Sequence, residues 1–155
     1  MTHQIDQFNT RYLSPAEKVH VLAGWDARKR EPRPDGDLGG RGYPDPEIFG
    51  LCNALNAIPG VCTLQSCAGH RLGPMNLQPG HLWLRLDETL SGRFRQTVFD
   101  LLRQPTIQGI ATLYHFGDRE IVEIVFDGTE RGAACFERSV IEISAFFAGL
   151  WEGRP

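Results

Sequence analysis

The sequence predicts an α+β fold, in which helices pack on a mainly antiparallel sheet of about four strands. Helical and strand-like segments follow one another without regular alternation, which argues against a doubly wound parallel sheet. Two strand-like runs flank Gly117-Asp118, a pair typical of a β-hairpin turn. No Gly-x-Gly-x-x-Gly segment and no phosphate-loop motif follows an early strand, so the common nucleotide-binding signatures are absent from the sequence.

Size and composition predict one globular domain over residues 1–155. The net charge of −3 provides no general basic surface, so a nucleic acid could bind only through a local patch. The four cysteines follow no repeated spacing, which indicates free thiols in a reducing compartment. No signal peptide and no membrane-spanning run is evident, so we expect a cytoplasmic protein without a membrane partner. The candidate basic patch consists of Arg28, Lys29, Arg30, Arg33 and Arg41.

The first half of the chain predicts two helices separated by a loop. Ser14 and Glu17 have the spacing of a capping box and begin a helix over 13–30. Residues 31–44 contain three prolines and four glycines, which predicts a loop. Asp45 is the expected N-cap of a second helix over 45–58, whose apolar residues recur at helical spacing.

The second half predicts a strand and motif loop over 61–71, followed by a strand over 81–86. In that second strand Leu82, Leu84 and Leu86 alternate with polar or aromatic residues and are expected to face the core. A helix over 89–104 follows, and then a hairpin over 109–127 with a type II′ turn at Gly117-Asp118. A long amphipathic helix over 133–151 ends the order of elements.

The segment from Ser66 to Arg71, Ser-Cys-Ala-Gly-His-Arg, concentrates reactive side chains in a short turn. Backbone N–H groups in such a turn form a nest for a carboxylate or a phosphate. The next strand brings further candidates to the same region. We therefore predict a small-molecule site lined by Ser66, Cys67, Gly69, His70, Arg71, His81 and Trp83.

Two other interpretations of the same segment remain open. The spacing of Cys67 and His70 is compatible with a zinc site completed by Cys62 and His81. Alternatively, the turn is a structural or partner-binding element of a non-enzymatic module. A thiolate nucleophile at Cys67, activated by His70 or Arg71, is a further form of the enzymatic interpretation.

Residues Gln65-Ser66-Cys67-Ala68-Gly69-His70, followed by Gly80-His81-Leu82-Trp83-Leu84, resemble the wybutosine-synthesizing tRNA methyltransferase family, the third enzyme of its pathway. That family has Ser-Ser-Cys-Ser-Gly-Arg at the end of a short strand and a Trp-containing strand after it. Ser66, Cys67, Gly69 and Trp83 match, whereas Ala68 and His70 replace Ser and Arg. The resemblance covers about residues 25–90, and the motif is also similar to short uncharacterised bacterial and phage Ser-Cys-x-Gly-His proteins.

This resemblance implies an α+β fold with a cleft near Ser66 and Cys67. It also implies a nucleotide-like ligand or S-adenosylmethionine as cofactor and methyl transfer to a modified guanosine in phenylalanine tRNA as the reaction. In that case Asp26 or His70 is the expected proton-handling group.

Overall fold

The structure is a computed structural model that describes residues 10–30, 45–71, 74, 77–115 and 117–153, with the side chains of 28–30 excluded. Its helices are α1 (Pro15–Arg30), α2 (Phe49–Asn56), α3 (Glu88–Leu102) and α4 (Ala133–Glu152). Two 3₁₀ helices span Pro46–Ile48 and Thr129–Arg131. The strands are β1 (Val61–Cys67), β2 (His70–Arg71), β3 (Leu77–Gln78), β4 (Gly80–Leu86), β5 (Ile107–His115) and β6 (Arg119–Phe126).

Four strands form one antiparallel sheet in the order β1-β4-β6-β5, which confirms the predicted α+β class. A second, two-stranded sheet joins β2 to β3 directly after the motif. The sequence analysis did not predict this small sheet. Its position matters for function because it brings His70 back beside the end of β1.

The core lies between one face of the large sheet and the helices. Leu82, Leu84 and Leu86 of β4 are buried on that face, as their alternation predicts. Helices α3 and α4 supply Phe94 and Phe147, whose rings stack with centroids 6.1 Å apart. The apolar faces of the helices therefore cover one side of the sheet. The motif lies at the end of the edge strand β1.

Helix α1 begins as predicted, but only half of the capping box forms. The Ser14 hydroxyl accepts a hydrogen bond from the Glu17 amide, at 3.2 Å. The Glu17 side chain does not return to the helix start. It is buried and pairs with Arg85, at 3.0 Å, and with Arg119, at 2.7 Å. Glu17 is thus a tertiary ion-pair residue rather than a capping residue.

Arg85 fastens the segment before α1 to the sheet. Its side chain is 0% exposed, and its guanidinium donates to the carbonyl oxygens of Thr10, Arg11, Tyr12 and Glu120, at 2.8 to 3.1 Å. Because Arg85 is buried, only His81 and Trp83 are partly exposed on the face of β4 opposite to Leu82, Leu84 and Leu86.

Other boundaries differ in detail from those predicted. The expected helix over 45–58 is a 3₁₀ turn followed by the shorter α2. The hairpin pairs His115 with Arg119, which leaves three residues in its loop instead of the two of a type II′ turn. Phe116, the loop 31–44 with Arg33 and Arg41, and the side chains of Arg28, Lys29 and Arg30 lie outside the described part.

Candidate functional site

The motif forms a sharp return of the chain at the end of β1. Cys67 is the last residue of β1, Ala68 and Gly69 make the turn, and His70 begins β2. Gly69 has a φ of +90°, a conformation that a residue with a Cβ rarely adopts. The turn therefore depends on glycine at this position and directs Cys67 and His70 toward the same region.

Asp45 approaches this turn from the segment before α2. Its side chain is 2% exposed, and Oδ2 accepts a hydrogen bond from the Ala68 amide, at 2.9 Å. Asp45 occupies the predicted N-cap position, but it makes no capping hydrogen bond to its own helix. The predicted N-cap position is confirmed, but the Asp45 carboxylate bonds the motif turn instead of its own helix.

His70 presents its Nε2 atom to that carboxylate. Nε2 lies 3.1 Å from Asp45 Oδ2, although the direction of the contact does not meet hydrogen-bond geometry. The ring is partly exposed, but Nε2 itself is buried and has no hydrogen-bond partner in the described part of the chain. A buried ring nitrogen with an unused lone pair or proton is unusual in a folded protein.

Cys67 completes the group. Its Sγ accepts a long hydrogen bond from the Gly69 amide, at 3.4 Å. Burial raises the pKa of the Cys67 thiol, the Gly69 amide lowers it, and the carboxylates of Asp45 and Glu130 raise it further. The site therefore favours the protonated thiol unless a cation replaces the proton.

Asp45, Cys67 and His70 each place one donor atom within 4.8 Å of the other two, and no other group of this kind occurs among the residues that the structure describes. Carboxylate, thiolate and imidazole are the three ligand types that bind zinc in proteins. In a tetrahedral zinc site such atoms are about 3.3–3.8 Å apart, as bond lengths of about 2.0–2.3 Å require. Small side-chain movements would bring the three atoms to that separation.

Cys62 does not belong to this group, which corrects the zinc set expected from sequence. It lies at the other end of β1, opposite Arg85, whereas Cys67 lies opposite His81. Five residues of extended strand correspond to roughly 16 Å. Burial also raises the pKa of Cys62 to about 12, which disfavours the thiolate that a metal needs.

His81 is close to the group but outside it. It faces Cys67 directly across the β1–β4 pair, so both side chains lie on the same face of the sheet. Burial lowers the pKa of His81, and the carboxylates of Glu123 and Asp45 partly oppose that shift. Asp45 thus takes the place in the donor group that the sequence analysis gave to His81.

The remaining predicted site residues are distributed around the turn. Ser66 pairs with Leu82, on the face of β1 opposite to that of Cys67. Arg71 is exposed on β2, and Asp26 is exposed on α1 and outside the donor group. The predicted nest is also altered, because the Ala68 and Gly69 amides already donate to Asp45 and Cys67.

Glu130 is a site residue that the sequence analysis missed. It lies in the 3₁₀ helix Thr129–Arg131 and is 7% exposed. Its Oε1 accepts from the Gly128 amide, at 3.4 Å, whereas Oε2 is buried and has no hydrogen-bond partner in the described residues. A Cβ added to Gly69 or to Gly128 would overlap Oε2. Two glycines from distant segments therefore make room for one buried carboxylate.

Trp83 lies on the same face of β4 as His81, two residues further along the strand. Its indole N–H donates to Glu123 Oε2, at 2.6 Å, and its ring centroid lies 5.4 Å from that of His115. The side chain is half-buried. Both contacts lie on β6 and β5, so the placement of Trp83 at the motif stays a prediction.

No protein-family model, curated protein or solved structure matches this chain. The resemblance to the wybutosine-synthesizing family therefore stays a prediction. None of the described helices combines the length and the apolar character needed to cross a membrane.

Proposed function

We propose that the protein is a metal-dependent enzyme that binds one zinc-type divalent ion through Asp45 Oδ2, Cys67 Sγ and His70 Nε2. The observation that carries the proposal is that Asp45, Cys67 and His70 each offer one donor atom within 4.8 Å of the other two, with Asp45 Oδ2 3.1 Å from His70 Nε2. Asp45 and His70 are 25 positions apart in the chain, so local sequence alone does not create the contact.

The surroundings of the three donors support this assignment. The Ala68 amide donates to Asp45 and the Gly69 amide donates to Cys67, so backbone groups orient two of the three ligands. Hydrogen bonds of this kind hold metal ligands in place and tune their basicity. A bound ion would give the buried Nε2 of His70 the partner that it lacks among the described residues.

The number of ligands supports a catalytic rather than a structural centre. Structural zinc sites are closed by four protein ligands, whereas catalytic sites have three and keep one position for water or substrate. Among the residues that the structure describes, His81, which faces Cys67 across the β1–β4 pair, and Glu130 both lie outside the donor group. The fourth position is therefore assigned to solvent or substrate.

Metal analysis of the purified protein tests the proposal. After incubation with zinc and removal of excess ion, we expect about one zinc per chain. Zinc at 100 times its Kd should also stabilise the fold by about 2.7 kcal/mol in thermal unfolding. Less than about 0.1 zinc per chain would reject the proposal, because sites with this donor set bind tightly.

Matched variants identify the ligands. Cys67→Ser should lose the ion, and Cys135→Ser, at a similarly half-buried cysteine on α4, should keep it. His70→Ala should lose the ion, and His81→Ala should keep it. The opposite pattern for the two histidines would show that His81 is the ligand and His70 is not.

Methyl transfer with S-adenosylmethionine is a second candidate function, and it rests on the motif resemblance alone. The half-buried Trp83 next to Cys67 and His81 would suit an adenine ring, because bases stack on aromatic side chains. Thermal unfolding with millimolar S-adenosylmethionine and no added metal tests it. A stabilisation that Trp83→Ala abolishes would support this candidate, and no shift would reject it.

The cysteines support a cytoplasmic location. None of the four forms a disulfide, and two of them are buried and two half-buried. The proposed centre needs the Cys67 thiolate, which would be oxidised in an oxidising compartment. Expression as a fusion and fractionation of the cells would test the location.

A further inference from the structure

We infer, on the basis of the proposed metal centre, that Glu130 accepts the proton of a water molecule at the open position and that the enzyme hydrolyses an acyl bond. Glu130 is outside the donor group, yet its Oε2 would overlap a Cβ placed on Gly69, the residue that precedes His70 in the motif turn. A carboxylate beside the ligands, but not among them, has the position of a general base.

The state of Glu130 is difficult to explain by a structural role. Its side chain is buried, Oε2 has no hydrogen-bond partner, and no lysine or arginine forms an ion pair with it among the described residues. A buried carboxylate oxygen without a partner destabilises a fold. Such a group persists where its function requires it.

The backbone around Glu130 is shaped to admit the carboxylate. Gly69 belongs to the motif turn and Gly128 precedes the 3₁₀ helix, and each would overlap Oε2 if it had a Cβ. The Thr129 amide donates to the Ala68 carbonyl, at 2.8 Å, and so fixes the 3₁₀ helix against the motif turn. The position of Oε2 relative to the motif turn at Ala68 and Gly69 is therefore set by the fold.

The proposed step is the hydrolysis of a carboxylic ester or amide. The water oxygen forms a bond to the carbonyl carbon while one water proton moves to Glu130. The bond from that carbon to the alkoxide or amine then breaks, and the leaving group takes a proton from Glu130 or solvent. The products are a carboxylic acid and an alcohol or amine, and no oxidant or reductant is consumed.

The charge of Glu130 also limits the substrate. A carboxylate next to the open position repels a dianionic phosphate ester but tolerates a neutral acyl group. We therefore assign the centre to acyl hydrolysis and not to phosphate ester hydrolysis.

The test uses zinc-loaded full-length protein with p-nitrophenyl acetate and p-nitrophenyl phosphate as probes. The zinc-dependent rate is the part that a chelator removes and added zinc restores. Glu130→Gln should keep about one zinc per chain and lose about 100-fold or more of this rate on the acetate, as expected for loss of a general base. Glu137→Gln, at an exposed position on α4, is the matched control and should keep the rate.

A second variant separates a chemical from a structural role. Glu130→Ala leaves a small space beside Gly69 and Gly128, and added formate should restore part of its zinc-dependent rate. A full rate in Glu130→Gln, loss of zinc from it, or the absence of any zinc-dependent rate in the zinc-loaded protein would overturn this inference and leave the metal centre standing. Faster hydrolysis of the phosphate would overturn the assigned substrate class, whereas failure to bind zinc would overturn the proposed function itself.

Discussion

Asp45 Oδ2 lies 2.9 Å from the Ala68 amide nitrogen and 3.1 Å from His70 Nε2, so one oxygen joins the start of the α2 region to both sides of the motif turn. The contact makes a helix-start residue part of the candidate site. It also explains why Cys67 has a raised pKa, because the same carboxylate adds to the effect of burial.

Zinc should protect Cys67 from alkylation. In the metal-free protein we expect the half-buried Cys67 to react slowly with iodoacetamide, and zinc should block that reaction because it occupies the thiolate. Mass spectrometry of digested protein measures each site separately. Modification of Cys67 at the same rate with and without zinc would contradict the assignment of this ligand.

Cys62 should be unreactive in the folded protein over the same pH range. Burial raises its pKa to about 12, so the thiol stays protonated between about pH 7 and 9. Raising the pH within that range therefore should not produce measurable alkylation at Cys62, with or without zinc. Rapid alkylation of Cys62 in native buffer would show that its end of β1 opens readily.

Asp45→Asn should weaken zinc binding by more than about 100-fold, since loss of an outer-shell partner alone costs about 10–100-fold. Asp87 is the control, because it occupies the N-cap of α3 and does cap it, accepting from the Leu90 amide at 2.8 Å. Asp87→Ala should cost about 1 kcal/mol of folding free energy and leave zinc binding unchanged. Equilibrium dialysis and urea unfolding measure the two effects.

Glu130→Gln should stabilise the metal-free protein by about 1 kcal/mol, because it removes an unpaired buried charge while keeping the shape of the side chain. Glu137→Gln should change stability by less than about 0.5 kcal/mol, as exposed substitutions do. Urea unfolding without zinc gives both values. A loss of stability in Glu130→Gln would indicate a structural partner for the carboxylate.

Glu17→Gln should destabilise the fold by about 3–5 kcal/mol, because it leaves the buried Arg85 guanidinium without its carboxylate. Zinc affinity should not change, since this ion pair lies at the opposite end of β1 from Cys67. The exposed Glu47→Gln is the control for stability. A fall in the zinc affinity of Glu17→Gln together with its stability would contradict this prediction and show that the two ends of β1 are coupled.

Gly69→Ala should destabilise the fold by about 1–3 kcal/mol and reduce zinc binding. Alanine is strained at a φ of +90°, and its Cβ would overlap Glu130 Oε2 and lie 2.9 Å from the Gln78 carbonyl oxygen. The control is Gly92→Ala in α3, where nothing lies within 4 Å of the added Cβ. That substitution should stabilise the protein by about 0.5–1 kcal/mol.

The fold was predictable from sequence where local pattern and burial agree. Alternation placed Leu82, Leu84 and Leu86 in the core, and Asp87 caps its helix as its position suggests. Asp45 and Glu17 occupy capping patterns that are equally typical, yet their side chains bind distant residues of the chain instead. A capping pattern predicts only the hydrogen bonds that a side chain can make to its own helix. It does not predict a stronger hydrogen bond or ion pair to a distant residue.

The candidate site was only partly predictable for the same reason. Cys67 and His70 are adjacent in sequence and were identified together, whereas Asp45 and Glu130 reach them from distant segments. No periodic pattern marks Glu130, and its role is visible only once Gly69 and Gly128 are seen to make room for it. The sequence therefore indicated the place of the site but not its complete set of ligands.

Zinc K-edge X-ray absorption of the zinc-loaded protein tests the central claim most directly, because it counts sulfur ligands and measures their distance. We expect one sulfur at about 2.3 Å and three nitrogen or oxygen neighbours at about 2.0–2.2 Å. Cys67→Ser should remove the sulfur signal or the metal itself. A spectrum with no sulfur, or with two, would contradict a centre built from Asp45, Cys67 and His70.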